Sequence, residues 1–225
     1  MEARGVFQGK DRLSSLTVGS ADVQFETRWH SRPRLCRCKL VAMSDVDDLI
    51  DCFVKALNRK PFTSVVADQV PVELRTGETS SAGEPLWLIT AHSNNWVAEV
   101  EDRLPFRLPT LYRSLISRYS YDEFEIGPIL FLANIDEQSG TRLLGRESMA
   151  PVLLKQGLLQ FGRPAGGSYD AVCFAIRRGS KNDAPIVQVD HEDVLIRGGC
   201  ITVKRELSPS FRDFVERVID GEFSR

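Results

Sequence analysis

The densest run of titratable side chains in this sequence is Asp190-His191-Glu192-Asp193. Imidazole beside carboxylates could hold a metal ion or exchange a proton with a substrate. Four consecutive residues cannot all face one ion, and no second histidine stands at ligand spacing. The expectation is therefore a solvated corner at the end of a strand, able to serve as the rim of a partner-binding face. A nucleophile–base–acid set can be drawn from Cys200, His191 and Asp190, or from several serines. No G-x-S-x-G elbow or cysteine-protease signature accompanies it. Gly166-Gly167 could cradle a phosphate, but no Lys-Ser/Thr follows, so a turn needing positive φ is expected, with Asp170 bonding its amides. His30, Cys36, Cys38 and Cys52 lack the paired C-x-x-C spacing of a zinc site. The run Arg28, Arg32, Arg34, Arg37 and Lys39 has only Trp29 as an aromatic companion, which suits a solvated arm better than a nucleic-acid surface. Trp87, Trp96 and Tyr112 are expected in the core.

These residues must be positioned by the elements around them. Residues 1–43 show little periodicity and are expected to be a flexible N-terminal arm. An S-x-x-D cap at Ser44 and Asp47 opens a helix whose apolar face is Val46, Leu49, Ile50, Phe53, Val54 and Leu57. Strands are expected at Phe62–Ala67, Val70–Leu74 and Leu86–Ala91, so residues 44–92 form an extension of the core. A second helix runs from Asn95 through Trp96, Val97, Val100 and Leu104. A third follows Pro109 with Leu111, Tyr112, Leu115, Ile116 and Tyr119 on one face. Ile129–Ala133 reads as a central strand, and Met149–Phe161 fits helix or strand. The run Ala171–Ile176, then Ile186–Val189 and Cys200–Val203, add strands. Ser208 and Pro209 open a closing helix with Phe211, Phe214, Val215, Val218 and Ile219 buried. Helices at both ends of a run of short strands indicate an α+β fold, an antiparallel or mixed sheet flanked by helices.

Composition narrows the function classes. The 225 residues are 42% hydrophobic with a formal net charge of −2, so a core is possible and no global field favours nucleic acid or an anionic membrane. No apolar run approaches the ~20 residues that cross a bilayer. The opening residues lack the apolar stretch of a signal peptide, and the five cysteines include Cys52, Cys173 and Cys200 within apolar patterns. A cytoplasmic, disulfide-free protein is expected.

The ordered motifs of residues 93–225 resemble the SUKH superfamily of Smi/Knr-type cell-wall regulators and bacterial immunity proteins. Trp96-Val-Ala-Glu-Val-Glu-Asp-Arg-Leu104 resembles that family's first helix, and Leu108-Pro-Thr-Leu-Tyr-Arg-Ser-Leu-Ile116 its second. Gly167-Ser-Tyr-Asp-Ala-Val-Cys-Phe174 is similar to its Gly-Asp strand start. Val189-Asp-His-Glu192 and Ser210-Phe-Arg-Asp-Phe214 match its late acidic corner and closing helix. Two positions depart from the pattern: Tyr119-Ser-Tyr-Asp-Glu123 replaces an aromatic-Asn-Gly turn, and Ala175 replaces an acid.

The resemblance implies a SUKH-like domain over residues 93–225 that binds a partner protein, such as a toxin domain, without catalysis, cofactor or metal. In bacteria such a domain would neutralise a toxin; in fungi it would scaffold a regulator. Partner binding is assigned to Asp170, Asp190, Glu192 and Asp193, where an acidic face would steer a cationic surface. Asp122-Glu-Phe-Glu125 adds to the acidic bias. Nucleic acid and membrane are not expected partners. The competing reading is a hydrolytic enzyme with a site around His191.

Overall fold

The computed structural model describes residues 45–63, 70–135, 140, 149–180, 182–196 and 201–223. All of them fall within the unit Arg34–Arg225. The expected arm, with His30, Cys36, Cys38 and the basic run, lies outside the described residues, as does Cys200.

Helix α1 is Val46–Leu57. Its cap is Asp45, whose carboxylate accepts the Asp47 N–H at 3.0 Å. The expected cap residue Ser44 lies outside the described residues. Leu49, Ile50, Phe53, Val54 and Leu57 form the buried stripe that the spacing predicts. Strand β1 is Phe62–Thr63, and 64–69, the rest of the expected strand, lie outside the described residues.

Val70–Leu74 is not a strand. Pro71 fixes its own φ and donates no N–H, and a short 3-10 turn at Val72–Leu74 follows it. Strand β2, Arg75–Thr79, begins only afterwards. The expected single strand Leu86–Ala91 is also broken. Pro85–Trp87 (β3) pairs with β1 and β2, while Thr90–Ala91 (β4) pairs elsewhere. Between them Asn58 clamps Ile89, donating to its carbonyl at 2.8 Å and accepting its N–H at 3.0 Å. Those bonds take Ile89 out of any ladder.

Helices α2 (Trp96–Arg103) and α3 (Thr110–Arg118) lie where the spacing places them. Strand β5, Tyr119–Ser120, pairs with β4. The remaining strands are β6 (Phe124–Ile126), β7 (Ile129–Phe131), β8 (Leu158–Pro164), β9 (Ala171–Ala175), β10 (Ile186–Val189) and β11 (Val203–Ser208). They hydrogen-bond in sequence order as one antiparallel meander. The expected central strand at Ile129 is therefore second from an edge, its burial coming from the helices over it. The ambiguous stretch Met149–Phe161 contains both options. Helix α4 is Ala150–Lys155, Gly157 turns at φ 75°, and β8 follows. Helices α5 (His191–Leu195) and α6 (Phe211–Ile219) follow among the described residues.

Both faces of the meander are covered, which is why β9 and β10 are apolar on both faces apart from the buried Gln188 of β10. Val172, Phe174 and Ile186 enter the larger core with α1, α3 and α6; Ala171, Cys173, Ala175, Val187 and Val189 enter a smaller one with Leu153 of α4 and Val194 of α5. The fold is α+β with helices flanking an antiparallel sheet. The described residues between 45 and 92 contribute to the larger core with the rest, as Phe62 lies 5.2 Å from Phe124, centroid to centroid. Trp87 and Tyr112 are buried, and Trp96 packs half-buried against the same core. Among the described residues no helix is long and apolar enough to cross a membrane.

The closing helix starts later than the sequence suggests. Ser208 is still paired with Ile186 at the end of β11, so it cannot cap. Ser210 caps instead, accepting the Asp213 N–H at 3.0 Å.

One close approach yields a test. A Cβ on Gly162 would lie 2.6 Å from the Leu130 carbonyl oxygen of the neighbouring strand. Gly162→Ala is expected to cost about 1–3 kcal/mol in urea unfolding, since backbone must shift. No measurable change would show that β7 and β8 are not this close.

Candidate functional site

The site forms where β9 begins, β10 ends and β11 begins. Gly166 and Gly167 both take positive φ (87° and 89°), as the turn reading requires. The turn delivers Asp170 to the start of β9, where it is 2% exposed. Its carboxylate does not bond the amides of that turn. It reaches across the sheet, because strands β10 and β11 offer stronger donors. Oδ2 accepts from Gln188 Nε2 at 2.6 Å. Oδ1 accepts the His191 N–H at 3.2 Å and lies 2.9 Å from His191 Nδ1. Lys204 Nζ lies 3.1 and 3.0 Å from the two oxygens.

A bulge places that ammonium. Val203 pairs with Val189 and Arg205 with Gln188, so Lys204 is the extra residue of β11. Bulges re-aim side chains in this way. Gln188 is fixed from both ends, since its Oε1 accepts from Arg205 Nε at 2.8 Å. Burial opposes ionisation of Asp170. The hydrogen bonds from His191, Lys204 and Gln188 outweigh it and hold the carboxyl well below the usual range. The bonds to Asp170 and then Asp190 raise the Lys204 ammonium in turn.

Asp190–Asp193 is not the fully solvated corner expected from the sequence. Asp190 caps α5, accepting the Glu192 N–H at 2.9 Å, and lies 3.2 Å from Lys204 Nζ. Asp193, three residues on, is 2% exposed and accepts the Thr202 N–H at 3.0 Å. The D-x-x-D spacing of cap and third helical residue was the readable signal for α5. Of the four residues assigned to partner binding, Asp170 and Asp193 are buried clamps, Asp190 is half-buried and Glu192 is exposed. Lys204 and Gln188 escaped the sequence reading, because a bulge depends on register between strands.

The cluster's chemistry is restricted by its own bonds. Asp170 and His191 have the geometry of a carboxylate orienting an imidazole; a neutral His191 carries its proton on Nδ1, leaving Nε2 as the acceptor. Ligand atoms of Asp170, Asp190 and His191 lie within 4.8 Å of one another, as a metal would need. The Lys204 ammonium already holds the cationic position between both carboxylates, and a divalent ion would have to displace it. Cys52 and Cys173 are free thiols, and burial pushes Cys173 up, as for an inert core residue.

A separate open groove of about 390 Å3 is lined by Ala91, His92, Ser93, Ser117, Arg118 and Tyr119. Its guanidinium is engaged by Asp51 at 2.8 Å. No protein-family model matches this chain, and no curated protein matches it in sequence.

Proposed function

We propose that this chain is a non-enzymatic protein-binding domain, a SUKH-type immunity or regulatory protein acting in the cytoplasm on a partner protein rather than on nucleic acid or membrane. One observation carries the reading: the Asp170 carboxylate is consumed by Gln188, His191 and Lys204. The groups a hydrolase would spend on its substrate are here spent on locking three strand ends together. What remains outward is a stiff corner bearing Asp190 and Glu192. Preorganised charge of this kind raises association rates more than affinity.

The test uses the full chain as bait to identify a partner, followed by association rates at low and high salt. Glu192→Lys is expected to slow association roughly threefold or more at low salt and to flatten the salt dependence. Asp193 is unsuitable for this test, because its carboxylate holds the Thr202 amide. Unchanged rates would remove the corner from the interface.

The specific observation favouring a hydrolase is the 2.9 Å contact between Asp170 and His191. On the binding reading, a panel of ester, peptide and phosphoester substrates shows no turnover that His191→Ala abolishes. Turnover lost in that variant would establish the enzyme instead.

A further inference from the structure

We propose that Tyr169, Leu195 and Ile196 form the apolar centre of a docking surface for a folded protein whose contact patch combines apolar side chains with Lys or Arg. The inference rests on the protein-binding reading and names the chemistry of its partner. The large apolar side chains left exposed among the described residues are Val72, Tyr169 (72%), Leu195 (54%), Ile196 (77%) and Val203 (36%). All but Val72 surround α5. The Tyr169 ring is 6.2 Å from that of His191, centroid to centroid. Leu195 stands four residues after His191 on the same helix, hence on the same face, and Ile196 follows it. Val203 is the register partner of Val189, two residues before His191.

Exposed apolar side chains gathered on one rigid corner mark an interaction site more than scattered ones do. The corner is rigid because the carboxylates of Asp170 and Asp193 tie the turn before β9, α5 and β11 together. An apolar centre with a charged rim is the anatomy of a protein interface, and tyrosine is a common anchor in one.

Charge selects the occupant. Among the described residues the carboxylates that the corner turns outward are Asp190 and Glu192, and the Lys204 ammonium is already divided between Asp170 and Asp190. A second copy would bring the same acids against them, and an anionic membrane or nucleic acid would be repelled likewise. Pairing through the β11 edge is opposed as well, since its register shifts twice against β10 and Lys204-Arg205-Glu206 lie along it. A cationic rim around apolar side chains satisfies both features, and the Tyr169 face can receive one of those cations.

The experiment pans a random peptide library displayed on phage against the full chain. Enriched peptides are expected to place Arg or Lys beside Leu, Ile, Phe or Trp. Ile196→Asp should weaken them about tenfold or more, and Tyr169→Ala should weaken them too. Both side chains are exposed, so circular dichroism and the thermal midpoint should match the parent protein. Enriched peptides that bind Ile196→Asp as tightly as the parent overturn the surface, while leaving a binding function on another face. Acidic peptides, or a dimer in sedimentation that Ile196→Asp dissolves, overturn the occupant. Turnover in the substrate screen above would sink the binding reading itself.

Discussion

Phe211→Ala is expected to lower the unfolding free energy by about 3–5 kcal/mol, among the largest effects any single side chain in this protein can have. Phe211 is fully buried on α6. Its ring centroid lies 6.5 Å from Phe53 of α1 and 5.9 Å from Tyr112 of α3. It lies 6.3 Å from Phe161 of β8 and 5.3 Å from Phe174 of β9. One ring thus joins three helices to the middle of the sheet. Removing it leaves a cavity among rings that cannot collapse onto one another, since Phe161 and Phe174 are already stacked at 4.0 Å. Typical domains are stable by about 5–15 kcal/mol, so the variant should unfold at markedly lower urea and give poor soluble yield. Arg212→Ala, one residue along with its side chain 41% exposed, should change stability by less than about 0.5 kcal/mol. A Phe211→Ala change as small as that of Arg212→Ala would mean α6 does not seal the core.

That core was the legible part of the fold. Helical spacing places α1, α2, α3 and α6 correctly because each buries a continuous stripe, and burial of a stripe leaves a period in the sequence. Ile186–Val189 was legible for the opposite reason: both faces are buried, so three of its four residues are apolar, with Gln188 the exception. The errors fall where a tertiary contact overrides local pattern. Asn58 splits Leu86–Ala91, Pro71 postpones β2, and the pairing of Ser208 with Ile186 shifts the cap of α6 to Ser210. The site divides in the same way. Its acids could be seen as a dense run with Asp170 nearby, but nothing local distinguishes the exposed Glu192 from the buried Asp193. Lys204 was invisible, since only the register of β11 against β10 shows it to be a bulge residue.

Asp170→Ala is expected to cost about 2–4 kcal/mol. The substitution strands the buried Gln188 amide and the His191 N–H and leaves the Lys204 ammonium with Asp190 alone. The cost stays below that of breaking a fully buried pair because the Lys204 side chain is 40% exposed and can turn to water. Asp170→Asn keeps the shape and one acceptor and should lose less. The charged form is what the site selects, and that gives the effect a pH signature. The folded-state carboxyl is held below its ordinary value, so its stabilising contribution is complete above the unfolded value of about 4 and declines as pH falls below it. The stability difference between the parent protein and Asp170→Asn should therefore be constant at neutral pH and shrink progressively below about pH 4, where the parent's carboxyl begins to take up the proton in the unfolded chain. Other carboxylates cancel in that difference. A gap that stays constant down to pH 2 would show that Asp170 stabilises by shape alone, and the charge network would lose its role as the lock on the corner.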